Sequence, residues 1–485
     1  GALSKIERPE INKRHFLHQK DAIKEVILDF PFVNKKRDLP YKEVSAEYNI
    51  DYIHQEKNVQ DFFKQRLLPH KLSQNGPCLA VGDINGDGTE DFIVGSSSVY
   101  SPVVYFQNSQ STFDSKNLFT AEEDKRYEVE SMTLFDADQD GDLDLYLVSG
   151  GNQFEAGSEL YNDRLLINDG YGNFVNDLKR IPNLNANGCV VRPIDYDSDG
   201  DIDLFIGGHN KPGAFPLADK SYLLNNNNGN FEDFTNAVLP DLDQFGLVTD
   251  AQWADLNKDR REDLILVGEY SPVAIFLNLN SGFQRLSSKT LDEAMGLWRC
   301  IEVVDFDDDG DLDLLLGNLG KNNMLSVSPE TPLIISTRDL DKNGSVDPLM
   351  FNSQQNKNGE WDMFPVQFWD NLTQQSPLFR KEFNSYHAFS KANMNYYQEK
   401  EYLIKDSLLS AKHDTSKWLE NLGSNTFKLN TLPDPLQLGP INDFLVIETA
   451  QDQSVFVIGN DFGGPPFEGN FDAFQGAIIN TNTMG

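Results

Sequence analysis

The feature that most constrains this chain is a nine-residue acidic loop that opens directly into an apolar run. It is clearest at residues 305–318, DFDDDGDLDLLLGN, where four aspartates at alternating positions surround Gly310. Carboxylates supply the oxygen ligands that Ca²⁺ prefers, and glycine can take the positive φ that a tight loop requires. The leucine-rich run that follows is typical of a buried β-strand. The stretch therefore predicts a Ca²⁺ loop that leads into a strand.

Six copies of this loop follow the template D-x-[DN]-x-[DN]-G-x-x-D, and they start 53, 59, 60, 50 and 34 residues apart. We expect ligands at loop positions 1, 3, 5 and 9, and the backbone carbonyl of position 7 as a further ligand. The predicted metal residues are Asp83, Asn85, Asp87, Thr89 and Asp91 in loop one; Asp136, Asp138, Asp140, Asp142 and Asp144 in loop two; Asp195, Asp197, Asp199, Asp201 and Asp203 in loop three; Asp255, Asn257, Asp259, Arg261 and Asp263 in loop four; Asp305, Asp307, Asp309, Asp311 and Asp313 in loop five; and Asp339, Asp341, Asn343, Ser345 and Asp347 in loop six.

These loops are not EF-hands, although an EF-hand begins with a similar pattern. An EF-hand needs flanking helices and a bidentate glutamate at loop position 12. That position is Val94, Leu147 and Leu316 in loops one, two and five, and the residues after position 9 are strand formers. The aspartate at position 9 is therefore expected to close the metal site.

The six loops differ in how closely they match the template. Arg260 replaces the glycine of loop four, where positive φ is strained, and Lys258 adds positive charge nearby. Asn343 replaces an aspartate in loop six, and a seventh unit at residues 444–460 keeps only ETAQDQ. We expect about five or six Ca²⁺ ions, with loops two, three and five the strongest sites. Loop four should be weak or filled by the side chains of Arg260 or Lys258, and the seventh unit should bind no metal.

The repeat predicts an all-β fold, a seven-bladed β-propeller with Ca²⁺-binding loops. Each repeat is expected to contain a strand, the loop, a second strand, a third strand ending in N-x-G-x-F, and a fourth strand. In that ending, asparagine and glycine predict a hairpin turn and phenylalanine anchors the fourth strand. Apolar residues at nearly helical spacing predict a helical insertion in blade six at about residues 368–416, after which Trp418 resumes that blade.

The domain organisation follows from the repeat. Residues 1–38 are expected to be a lead-in segment or the edge of a preceding domain, and residues 39–485 the propeller. The last blade, residues 438–485, lacks a fourth strand. Residues 39–50 are therefore predicted to pair with it as its outer strand and to close the ring.

Charge and motifs exclude several function classes. The chain has 41 Lys and Arg against 76 Asp and Glu, a formal charge of −35, which argues against a nucleic-acid partner. It contains no apolar run long enough to cross a membrane. The seven histidines show no metal-pair spacing, and no nucleophile motif or P-loop occurs, so we assign no catalytic residue.

With these loops and the glycine-terminated strands that follow them, the chain resembles FG-GAP and VCBS repeat proteins, which share the propeller of integrin α-subunit heads. Residues 67–88, 318–323 and 375–383 further resemble Bacteroidota surface proteins that carry ASPIC/UnbV modules. The resemblance implies bound Ca²⁺ and a place outside the cell or at the cell surface, on the outer membrane of a Gram-negative bacterium. Members of the family adhere, bind glycans or serve as accessory domains.

We therefore expect a non-catalytic Ca²⁺-binding propeller that binds a protein or a glycan, as an accessory subunit of an outer-membrane uptake or adhesion complex. A lipid anchor or the complex itself would hold it at the membrane. The alternative is a hydrolase or lyase that acts on polysaccharide through loops on one propeller face. A tight cluster of His, Arg, Tyr and carboxylate side chains at the channel mouth would favour the enzyme. A flat, aromatic-rich face would favour the binding protein.

Overall fold

The computed structural model describes residues 42–356, 358–448, 453–465 and 467–480. The chain divides into two compact units, residues 1–51 and 52–485. The predicted lead-in at residues 1–38 lies outside the described residues, as do residues 39–41 of the predicted closing strand. The rest of that stretch contains the 3-10 helix Ser45–Tyr48, which ends where Asn49 adopts a left-handed φ of 61°. A helical turn thus stands where an outer strand was expected.

Four consecutive stretches of the second unit form antiparallel sheets in which four strands follow each other in chain order. In each sheet the acidic loop joins the first strand to the second, and the second strand is the most deeply buried. The strands are β1 (Leu79–Gly82), β2 (Asp91–Val94), β3 (Val103–Gln107) and β4 (Phe113–Asn117) in sheet one; β5 (Val129–Phe135), β6 (Asp144–Ser149), β7 (Arg164–Asn168) and β8 (Phe174–Asn176) in sheet two; β9 (Gly188–Ile194), β10 (Asp203–Gly208), β11 (Tyr222–Asn227) and β12 (Asn230–Asp233) in sheet three; and β13 (Leu247–Ala254), β14 (Asp263–Ser271), β15 (Ala274–Leu279), β16 (Gly282–Arg285) and the added β17 (Gly296–Leu297) in sheet four.

Sheet five begins with β18 (Cys300–Val304) and β19 (Asp313–Gly317), but the chain then leaves it to build a separate sheet. Sheet six, in the order β22-β21-β20-β23, contains loop six between its β20 and β21. Its strands are β20 (Leu333–Ser336), β21 (Met350–Gln355), β22 (Trp361–Pro365) and β23 (Leu408–Ala411).

Short helices connect these strands. Those of the predicted helical stretch lie between β22 and β23, where Leu372, Phe379 and Tyr397 are fully buried in one cluster with Phe351 of β21. In the described ranges, no helix is both long and apolar enough to span a membrane. The α-helices are α1 (Asp61–Lys64), α2 (Thr235–Val238), α3 (Lys289–Glu293), α4 (Trp369–Gln375), α5 (Leu378–Glu382), α6 (Tyr386–Phe389) and α7 (Met394–Glu399), and further 3-10 helices are Asp124–Arg126, Glu159–Tyr161, Pro240–Gln244, Lys405–Ser407 and Asp434–Gln437.

Sheet five is completed only after this insertion, by β24 (Lys417–Asn421) and β25 (Phe427–Thr431). Trp418 of β24 pairs with Leu315 of β19. Trp418 therefore completes sheet five and not, as predicted, the sheet that carries loop six. Sheet seven follows with three strands, β26 (Ile441–Glu448), β27 (Gln453–Gly459) and β28 (Ala477–Asn480).

The sheets are arranged as in a propeller, with their first strands side by side. The inner strands β1, β5, β9, β13, β18 and β26 each contact the next in this series, whereas β23 of sheet six packs against β14. The structure is thus mostly β and has seven sheets, but the predicted succession of seven blades needs correction. Sheet six is inserted within sheet five, so six sheets form the series among the described residues.

Buried asparagines join neighbouring sheets in this series. In β11, the side-chain amide of Asn226 donates to the carbonyl of Ala137 in loop two at 2.9 Å and to that of Ile202 in its own loop at 3.0 Å. Asn168, Asn278 and Asn421 make the same bond to the preceding loop, at 2.8, 2.9 and 3.2 Å. These asparagines lie in the third-strand endings that the N-x-G-x-F pattern describes. They hold adjacent sheets in register in addition to their predicted role in the turn.

A segment ahead of sheet one, residues 52–75, ties several sheets together, and we call it the strap. Gln65 donates through its side-chain amide to the carbonyls of Phe215 in sheet three, at 3.1 Å, and Val346 in sheet six, at 3.3 Å. The backbone N–H of Lys71 donates to the carbonyl of Gly463, after β27, at 2.8 Å. The strap links the beginning of the described second unit to its last sheet without forming a strand.

We predict that Gln65→Ala lowers the free energy of unfolding by about 1–3 kcal/mol, because it leaves buried carbonyls without a donor. Gln55→Ala, at an exposed position of the same strap, is the matched control. Denaturant titration of both variants measures the effect. Equal stability of the two would show that the strap does not hold the sheets together.

We also predict that Asn226→Ala is destabilising by a similar amount, about 1–3 kcal/mol, because two loop carbonyls lose their buried donor. The adjacent Asn227 is exposed, and Asn227→Ala should change the melting temperature little. Thermal melting curves of the two variants measure this difference in stability. If the two variants have the same melting temperature, the link between sheets two and three contributes no stability.

Candidate functional site

All six acidic loops adopt one backbone conformation, in which positions 4 and 6 are left-handed. Position 4 has φ between 61° and 72° in every loop, although only loop one has glycine there. The turn directs backbone N–H groups at the first aspartate: in loop three, Asp199 and Gly200 each donate to Asp195 at 3.1 Å. Arg260 adopts φ 72° and donates to Asp255 at 2.7 Å, so loop four keeps the same conformation without its glycine.

Carboxylates converge within four of the loops. In each, three aspartates place oxygen atoms within 4.8 Å of one another, an arrangement that could hold a metal ion. The groups are Asp136, Asp138 and Asp144 in loop two; Asp195, Asp197 and Asp199 in loop three; Asp305, Asp307 and Asp313 in loop five; and Asp339, Asp341 and Asp347 in loop six.

Free oxygen atoms in these groups fit a cation. Asp138 accepts a hydrogen bond from Arg180 through Oδ2 at 2.9 Å, and Asp341 accepts one from Ser376 through Oδ2 at 2.8 Å. The Oδ1 atoms of both, and Oδ1 of Asp136, are buried without a hydrogen-bond partner among the described residues. Buried carboxylate oxygens need a proton donor or a metal ion, and crowding of like charges favours the ion.

Loops one and four have an asparagine at position 3. The Oδ1 atoms of Asn85 and Asn257 each accept the N–H of position 5, at 3.0 and 2.8 Å. The expected filling of loop four by Lys258 is not what the structure shows, because Lys258 Nζ forms an ion pair with Asp311 of loop five. The left-handed backbone at Lys258 directs its side chain to the neighbouring loop.

In loops one to five the position-9 aspartate is the first residue of the second strand, and in all six loops it is almost completely buried. Asp203 accepts the N–H of Tyr196 at 3.2 Å and that of Asn226 at 2.7 Å, so one side chain joins its loop to the third strand. Asp313 does the same with Phe306 and Asn421, at 3.1 and 2.7 Å. Burial raises the pKa of Asp203 to about 7 and that of Asp313 to about 6.

A second candidate site lies at the opposite end of the inner strands. These strands begin beside a central cavity of about 620 Å³ and end at the acidic loops. The strap contributes His54, His70 and Asn75 to its wall, and the sheets contribute Glu130, His209, Thr249, Glu269, Arg299 and Asp461. Burial raises the pKa of Glu130 to about 8.

The cavity contains a chain of three side chains centred on Glu269, which is 6% exposed. His70 donates through Nε2 to Glu269 Oε1 at 2.6 Å and through Nδ1 to its neighbour's carbonyl, that of Lys71, at 2.7 Å. Burial opposes the charged imidazolium, but the Glu269 carboxylate outweighs it and raises the pKa of His70 to about 9. His209 Nε2 lies 3.9 Å from Glu269 Oε2, and burial lowers the pKa of His209.

From the sequence, His70 and His209 are two of seven histidines, predicted to lie on loops of the propeller face and assigned no catalytic role, and Glu269, Arg299 and Asp461 were not selected. Arg299 pairs with Asp461 at 3.0 Å although 162 positions separate them in the chain. Each residue stands at the edge of a different strand or on the strap, so no local motif marks the cluster. The sequence did offer one signal: His209 and Glu269 each follow directly after the apolar run of a second strand.

Comparison with protein families gives one match: a family model described as an FG-GAP-like repeat matches residues 83–147, 195–266 and 255–316. These segments contain loops one to five. No match was found among curated proteins. The context of an ASPIC/UnbV module stays a prediction.

The solved structures that match the chain share little sequence with it. The Vibrio cholerae biofilm matrix protein Bap1 is 12% identical, with 85% of this chain and 81% of that chain covered and a TM-score of 0.31. An Agrocybe aegerita lectin specific for non-reducing terminal N-acetylglucosamine is 14% identical, with 63% and 84% covered and a TM-score of 0.26. An α-L-arabinofuranosidase from Lactobacillus brevis is 8% identical, with 61% and 95% covered and a TM-score of 0.31. The assignment rests on the matched repeats, and with loops of this sequence and conformation the chain fits an FG-GAP repeat protein.

Proposed function

We propose that this protein is a Ca²⁺-stabilised binding module that recognises a glycan or a protein outside the cell or at the cell surface. The observation that carries the proposal is the convergence of three aspartates in each of four loops, two of which, loops two and six, contain buried oxygens without a proton donor among the described residues. Hard oxygen ligands in a flexible loop suit Ca²⁺ better than Mg²⁺, which requires a near-ideal octahedral site. Extracellular Ca²⁺ is abundant enough to fill loops of moderate affinity.

The role of the ions in this proposal is structural. Loops one to five each join the inner strand to the second strand, and their position-9 aspartates accept a hydrogen bond from the third strand. Loops of neighbouring sheets also touch: Gln139 of loop two donates to Asp201 of loop three. A cation in each loop would neutralise the repulsion between these carboxylates and fix one edge of the scaffold. The cavity at the other end then remains available for a ligand.

A second candidate function, a hydrolase or lyase that acts on polysaccharide, is favoured by the central cavity. The described residues bring histidine, arginine and carboxylate side chains together there, which are three of the four side-chain types expected of an enzyme; no tyrosine is among the described residues that line the cavity. Neutral His209 beside ionised Glu269 and Arg299 could serve in proton transfer. Incubation with polysaccharides and measurement of new reducing ends and of unsaturated products tests this candidate, with Glu269→Gln as the control.

Binding of the Ca²⁺-loaded full chain to glycans, and to membrane fractions of the native organism, tests the leading proposal. A specific partner retained in Ca²⁺ and lost in EGTA supports it. Capture of neither a glycan nor a protein would contradict it. An accessory role in an outer-membrane uptake or adhesion complex predicts that the partner co-purifies with the membrane fraction.

We predict that chelation lowers the melting temperature sharply. Removal of the ions leaves several carboxylates in mutual repulsion, and each occupied site is linked to folding by roughly 2–4 kcal/mol at saturating Ca²⁺. Melting curves in Ca²⁺ and in EGTA measure the effect, and EGTA already saturated with Ca²⁺ is the control for the chelator. An unchanged midpoint would exclude a structural role for Ca²⁺.

We predict that Arg260→Gly increases the metal affinity of loop four severalfold. Glycine removes the strain of a left-handed arginine, about 1–2 kcal/mol, together with one positive charge. Terbium luminescence reports this loop because Trp253 lies two residues before Asp255. Gly200→Arg in loop three, where an added Cβ would meet no atom within 4 Å, is the converse variant and should weaken binding. Weaker binding by Arg260→Gly together with stronger binding by Gly200→Arg would overturn the ranking of the loops.

A further inference from the structure

The wall of the central cavity contains two buried hydrogen-bond acceptors that lie close to each other, and neither has a donor among the described residues. Glu269 uses Oε1 to accept from His70, and its Oε2 is buried without a hydrogen-bond partner among the described residues. Opposite it, His209 Nε2 also has no partner there. The two atoms lie 3.9 Å apart, too far for a direct hydrogen bond.

The protonation of His209 follows from its other nitrogen. Nδ1 lies 3.1 Å from Oδ1 of Asn210, and the Asn210 amide is oriented by its own donation to the carbonyl of Lys211 at 3.2 Å. Oδ1 of Asn210 can only accept, so Nδ1 carries the proton. In the neutral imidazole, Nε2 is then an acceptor, like Glu269 Oε2. A ligand at this place must donate hydrogen bonds to both.

The surrounding charges select a neutral donor. His70 is held as an imidazolium between Glu269 and the carbonyl of Lys71, and it compensates the Glu269 charge. Arg299 lines the same cavity, paired with Asp461 at 3.0 Å. Lys71, Arg299 and the His70 imidazolium are balanced in the cavity wall by Glu56, Glu269 and Asp461, and burial raises the pKa of Glu130 to about 8. The wall therefore has no excess charge to attract an ammonium or an anion, whereas hydroxyl groups need none. Phe462, 65% exposed, adds an apolar surface to the cavity wall.

We propose that this cavity binds a neutral saccharide, and that Glu269 Oε2 and His209 Nε2 accept hydrogen bonds from two adjacent hydroxyl groups of one sugar ring. This inference rests on the binding function proposed above and gives it a site and a ligand class. A volume of about 620 Å³ is within the range of small-ligand sites. The exposed ring of Phe462 provides a face for the C–H groups of the sugar.

The test uses the full chain in Ca²⁺, first on an array of neutral and uronic-acid oligosaccharides. Calorimetry follows with the strongest neutral oligosaccharide and its monodeoxy analogues. We expect Glu269→Gln to reduce affinity about tenfold or more, because the new amide can donate to His209 and close the gap between the acceptors. Glu232→Gln, on the exposed face of β12, is the matched control and should bind like the parent.

The monodeoxy analogues keep the proposal falsifiable if Glu269→Gln fails to fold. Loss of one of the two adjacent hydroxyl groups should weaken binding to the parent protein about tenfold, because one buried acceptor is left without a donor. Equal affinity for all analogues, or for folded Glu269→Gln, would overturn the cavity as the site while glycan binding itself stands. Binding of uronic acids alone, or of no saccharide, would overturn the ligand class. In the last case, capture of a protein partner would still uphold the proposed function.

Discussion

The structure depends on the buried aspartate at position 9 of each acidic loop. In loops two, three and five its two oxygens accept N–H groups from the loop and from the third strand, as Asp203 does with Tyr196 and Asn226. The residue that donates from the third strand is in turn the asparagine whose side chain reaches the preceding sheet. One carboxylate therefore fixes the loop, orders the strands of its own sheet and positions the link to the neighbour.

The same arrangement concentrates negative charge, and this explains why the loops require a counter-charge. Some of it is supplied by the protein: Arg180 pairs with Asp138 at 2.9 Å, and Lys258 reaches Asp311 of the next loop. Other oxygens, such as Oδ1 of Asp136, remain buried without a donor among the described residues. Proposed binding of about five or six Ca²⁺ ions accounts for these atoms and for roughly a third of the formal charge of −35.

The two ends of the inner strands serve different purposes in this view. The loop end consists of repeated, nearly equivalent sites, which suits a structural role. At the cavity end, each sheet contributes different residues. The strap packs there, and its His70 hydrogen-bonds to Glu269. Because the strap also bonds to sheets three, six and seven, it couples the shape of the cavity to the assembly of the sheets.

The sequence by itself determined the acidic loops, the buried strands that follow them and the helical stretch before Trp418. These features depend on residues a few positions apart, so spacing, turn propensity and apolar runs predict them. Left-handed backbone at position 4 was not predicted, since residues such as Lys258 and Asp308 give no local signal for it. Only the tertiary structure decided that β24 completes sheet five, that asparagine links the sheets and that His70 meets Glu269, 199 residues away. Such contacts form because polar groups that become buried during packing must pair with each other. The partners are far apart in the chain, so no short sequence pattern predicts them.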